Sequence, residues 1–121
     1  MAEHVAKWVR LARGDISALR SLLDDELIQH AAFWAQQAAE KAFKAALVDA
    51  GLQPPRIHDL RELSLLLPAG MDRPLDDALV LGELSDWATS TRYDEMAVLP
   101  APAEVEAVAT AVEAYLARRG W

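Results

Sequence analysis

A chain of 121 residues with a formal net charge of −7 and 53% apolar residues fits one domain, residues 1–121. A chain of that length can bury roughly two-thirds of its unfolded surface. Zero cysteines exclude disulfides, thiol nucleophiles and cysteine metal sites, and the acidic balance argues against general binding to a phosphate backbone.

Aromatic residues are few and alanine is abundant, which suits closely packed helices better than a sheet core. From Val5 to Leu23, the apolar positions Val5, Trp8, Val9, Leu11, Ala12, Ile16, Leu19, Leu22 and Leu23 recur at spacings of three and four, the period of an amphipathic helix. Gly14 interrupts this helix at a cost of about 1 kcal/mol relative to Ala. The apolar period runs through it, so one continuous helix is expected. Asp24-Asp25 is the expected cap of a second helix, from about Glu26 to Ala50, that stops at Gly51. Its alanines would let the first helix approach closely as an antiparallel neighbour.

Gln53-Pro54-Pro55-Arg56 cannot continue a helix, because each proline removes a donor and restricts the residue before it. A short third helix is expected from about Asp59 to Leu67 and a fourth from Pro74 to about Trp87. An irregular connection from Thr89 to Pro102 carries Arg92-Tyr93, and a last helix starts near Ala103. Its early glutamates and its terminal Arg118-Arg119 both suit the helix dipole. No stretch alternates as a strand would. No apolar run reaches the roughly 20 residues that cross a bilayer. Met1-Ala2-Glu3-His4 feeds no apolar stretch, and the expected compartment is the cytoplasm.

Three groups of residues are candidates for chemistry. Gln37, Lys41 and Lys44 fall at steps of four and three, which keeps them on one helical stripe that could receive an anion such as a nucleotide phosphate. The same stripe also reads as a solvated face carrying an ordinary Glu40–Lys44 pair. His58-Asp59 stands at a helix start, where Asp59 can cap the backbone N–H groups and His58 can face a ligand. Arg92-Tyr93 could clamp a phosphate and stack on a base, or simply pin its loop to the bundle. His4, His30 and His58 lie far apart without metal-ligand spacing. No phosphate-binding glycine loop or nucleophile motif occurs, so no catalytic residue, metal or cofactor is assigned.

Three segments resemble the HEPN family in the family's order. They are Ala6-Lys7-Trp8-Val9-Arg10-Leu11-Ala12-Arg13-Gly14-Asp15-Ile16, then Gln36-Gln37-Ala38-Ala39-Glu40-Lys41-Ala42-Phe43-Lys44-Ala45, then His58-Asp59-Leu60 with Leu63; Thr91-Arg92-Tyr93 adds a further landmark. The resemblance covers most of the chain. It implies an all-α, up-and-down four-helix bundle with an additional short helix, and commonly a homodimer. It also implies a minimal nucleotidyltransferase as partner, in a complex or a toxin–antitoxin-like pair, and nucleotide binding. Gln37, Lys41, Lys44, His58, Asp59, Arg92 and Tyr93 are the candidate ligand-binding residues.

Many HEPN domains are ribonucleases that use an Arg, four to six residues, then a His. No His here has that Arg: the matching positions are Leu23, Asp24 and Asp25 before His30, and Gly51, Leu52 and Gln53 before His58. The reading is therefore a non-catalytic accessory protein. The alternatives are a divergent metal-independent ribonuclease built from Arg56, His58 and Arg92, or a purely structural homodimeric bundle.

Overall fold

The computed structural model describes residues 3–75, Leu84, Trp87 and residues 100–121. Among these, every regular element is helical: α1 Glu3–Asp24, α2 Ile28–Asp49, the short α3 Leu60–Leu66 and α4 Pro102–Arg118. The all-α bundle expected from the sequence is what the chain forms. Of the helix expected over residues 74–87, Leu84 and Trp87 are described as helical, and Leu84 is fully buried.

α1 is unbroken through Gly14, which is exposed; a Cβ added there would meet nothing within 4 Å. The α1–α2 junction departs from expectation. Helix α1 runs on to Asp24 and α2 begins at Ile28 after Leu27, with no side-chain cap, so Asp24-Asp25 does not cap α2. Instead the junction closes α1. Leu27 N–H reaches the Leu22 carbonyl at 2.8 Å and Glu26 N–H reaches Leu23 at 3.0 Å, with Glu26 left-handed at φ 61°. This is the paired terminal bond pattern that usually recruits glycine. Helix α2 ends in the same way at Gly51, whose φ is 83°.

Helix α2 is the centre of the bundle, in contact with α1, α3 and α4. Ala31, Ala35, Ala38, Ala42, Ala45 and Ala46 are all fully buried, as is the bulkier Phe43. Small side chains on several faces let more than one neighbour approach the α2 backbone. Contacts run 41 to 15 and 44 to 8 between α2 and α1, so the two helices are antiparallel. The apolar faces of α1 (Val5, Val9, Ile16, Leu19) and α4 (Val105, Val112, Leu116) complete the core. Pro102 begins α4, and the Glu104 carboxylate accepts from Ala101 N–H at 3.0 Å, closing its first turn. None of the described helices is long and apolar enough to cross a membrane.

Candidate functional site

The prolines at 54 and 55 lie in the turn after α2 has closed at Gly51, and Asp59 starts α3. Its carboxylate accepts from the N–H groups of Arg61 (2.9 Å) and Glu62 (3.3 Å), satisfying donors that no earlier turn can serve. This fixes the residue before it, His58, against α2. The fully buried Gln36 donates from Nε2 to the His58 carbonyl at 3.1 Å, and Gln37 donates in turn to Gln36 Oε1 at 2.7 Å. His58 Nδ1 lies 2.9 Å from Glu40 Oε1, and Glu40 Oε2 accepts from Lys44 Nζ at 3.3 Å.

One turn away, Lys41 Nζ donates to Asp15 Oδ2 of α1 at 2.5 Å. Two indoles border these pairs: Trp8 lies 5.5 Å from Lys44 Nζ and Trp34 lies 5.7 Å from Lys41 Nζ, within cation–π range. Burial pushes the Asp15 carboxyl above its ordinary value. Its bond to Lys41 pulls the other way, and the charge of Glu40 adds to the rise.

The structure thus joins Gln37, Lys41, Lys44, His58 and Asp59 in one region where α2 meets α1 and the turn before α3. Arg92 and Tyr93 lie outside the described residues. Within the region, the candidates differ sharply in access. The Lys44 and Glu40 side chains are only 8% and 5% exposed, whereas His58 is 75% exposed. An anion reaching Lys44 would have to displace Glu40, and one reaching Lys41 would have to displace Asp15. Gln36, Glu40 and Asp15 are the participants that spacing alone did not select as site residues. Their signal was burial: Asp15 interrupts the apolar face between Ala12 and Ile16, and Gln36 and Glu40 sit among buried alanines.

A second ionic seam joins α1 to α4. Arg20 donates to both Glu113 oxygens, at 2.7 and 2.6 Å, and to Glu106 at 2.9 and 3.1 Å. The guanidinium holds the Glu113 carboxyl below its ordinary value, as Arg118 does for Asp72. Near the end of the same helix, Arg119 pairs with Asp49 and faces the Trp121 ring at 4.6 Å. A groove of about 340 Å³ opens beside α1, lined by His4, Trp8, Val48, Leu52, Gln53 and Pro54. None of the described candidate residues lines it. Among the described residues, no three His, Asp or Glu side chains gather as a metal site.

Comparison with known proteins gives a consistent result. The family model for the HEPN domain matches residues 5–117. Among solved structures, TT1696 from Thermus thermophilus is similar at 25% identity over 96% of this chain and 95% of that one, with a TM-score of 0.78. ST0689, an archaeal HEPN homologue, shares the fold at 22% identity over 95% of this chain and 93% of its own, with a TM-score of 0.65. No curated protein matches significantly.

Proposed function

Because the chain belongs to the HEPN domain family, we propose that it is a non-catalytic accessory protein that engages a minimal nucleotidyltransferase, a nucleotide, or both, as half of a toxin–antitoxin-like pair. One observation carries this reading. The family match spans residues 5–117, yet no histidine in the sequence follows an arginine at the ribonuclease spacing. A phosphodiester cut by that pair needs a charge to polarise the phosphate and a group to move a proton. The described lysines nearest His58 are committed to Glu40 and Asp15.

In this reading the exposed His58, with Asp59 and Gln37 beside it, forms the contact surface, and Arg92 and Tyr93 contribute from the connecting segment. Lys41 and Lys44 support the surface from behind. A homodimer in the cytoplasm is the form in which the protein would act.

The test is affinity purification of the tagged protein from its native host at near-physiological salt, with mass spectrometry of what co-elutes. A stoichiometric small nucleotidyltransferase supports the reading, and His58→Ala should reduce its recovery. Recovery of the chain alone, with no change in melting temperature on addition of nucleoside triphosphates, would overturn it.

A further inference from the structure

We infer that Glu40 and Gln36 are positioning residues that make His58 an outward-facing proton acceptor, so that the group it takes from a bound molecule is a hydroxyl or N–H donor rather than a phosphate oxygen. The inference rests on the reading above that the His58 surface is where a ligand or partner docks.

An exposed histidine ordinarily swings freely and samples both tautomers. His58 is fastened at two points despite its 75% exposure. Its carbonyl is held by Gln36 at 3.1 Å, and its ring is held at Nδ1 by Glu40 at 2.9 Å. Both anchors are buried, at 0% and 4% exposure, so neither can follow the ring into solvent. The second oxygen of Glu40 is occupied by Lys44, which keeps the carboxylate in place and opposes its charge. A carboxylate only accepts hydrogen bonds, so the proton on the neutral ring must sit on Nδ1. The lone pair is then on Nε2, the nitrogen not engaged by Glu40.

That atom accepts from a hydroxyl or an N–H, and the carboxylate behind the ring stabilises the positive charge that grows on the imidazole as it does so. On the neutral ring, a phosphate oxygen that carries no proton meets a lone pair there instead of a donor. Neither Lys44 nor Lys41 is placed to compensate, because each is paired within the bundle.

The ring tautomer is read directly from long-range proton–nitrogen NMR spectra of the isolated protein at about pH 8, where an ordinary imidazole is neutral. His58 should show a protonated Nδ1 and an unprotonated Nε2. Adding inorganic phosphate should leave its ring signals in place. Glu40→Gln, which can donate as well as accept, should return His58 towards the mixture seen for unrestrained histidine. A wild-type His58 protonated at Nε2, or His58 signals that move with phosphate, would overturn the inference. The wild-type spectra need no variant to fold. They also need no partner, so their outcome is separable from that of the affinity purification.

Discussion

Two ionic seams flank α1, built from the same bond type in different solvents. On the α2 side, Lys41–Asp15 and Lys44–Glu40 have side chains between 5% and 16% exposed; on the α4 side, Arg20, Glu106 and Glu113 are 37 to 46% exposed. Water screens the outer seam and leaves each of its members a solvated alternative, so its net worth is small. The inner seam has no such alternative, and removing one partner strands the other as an uncompensated buried charge. The inner seam is therefore bound up with the fold itself and with the presentation of His58. The outer seam adjusts stability at the rim.

The largest effect should come from breaking the inner seam. Lys44→Met keeps the side-chain volume but removes the only cation, among the described residues, bonded to the buried Glu40, leaving it the His58 ring alone. Urea unfolding should show a loss of about 3–5 kcal/mol. The matching Arg20→Met change on the outer seam should cost about 1 kcal/mol or less. Equal losses would erase the distinction between the seams.

Close packing around α2 is what keeps water from the inner seam, and Ala42 is one of its fully buried alanines. Ala42→Leu should cost about 1–3 kcal/mol by overpacking, read as a lower urea midpoint.

Acid should act on the seams in opposite directions. Glu113 is held below its ordinary value of 4.5 by Arg20, so its contribution is present above that pH and is lost as pH falls through the lower folded value. Glu113→Gln should flatten that acid loss, while costing under about 1 kcal/mol at neutral pH after screening. Asp15 is held above its ordinary value of 3.8, chiefly by burial, so its contribution is present below that pH and is lost as pH rises through the folded value. The stability difference between Asp15→Asn and wild type should therefore move in the variant's favour across that rise. A pH series of urea midpoints checks both.

The smallest effect lies away from either seam. Gly14→Ala, exposed in mid-helix with open space around it, should raise stability by up to about 1 kcal/mol in thermal unfolding.

The helical period was readable because it is local. Val5, Val9, Ala12, Ile16 and Leu19 mark the buried face of α1 in the sequence and in the structure. The cap at Asp59 was readable for the same reason, since its partners lie two and three residues ahead. The α1–α2 junction was not, because Glu26 takes a left-handed conformation that its residue type does not advertise. The polar stripe was legible as a stripe but not as an interior. Lys41 meets Asp15 across 26 residues and Glu40 meets His58 across 18, and helical spacing holds no record of which helix will cover a given face. That Lys44 is buried follows from α2 being surrounded, a property of the assembled bundle.

A double-mutant cycle on Glu40 and Lys44 tests most directly the claim that the stripe is an interior scaffold. Urea unfolding of Lys44→Met, Glu40→Gln and the double variant should show the double variant less destabilised than Lys44→Met alone, because no charge is then left stranded. Losses that simply add would contradict the account and return both side chains to solvent.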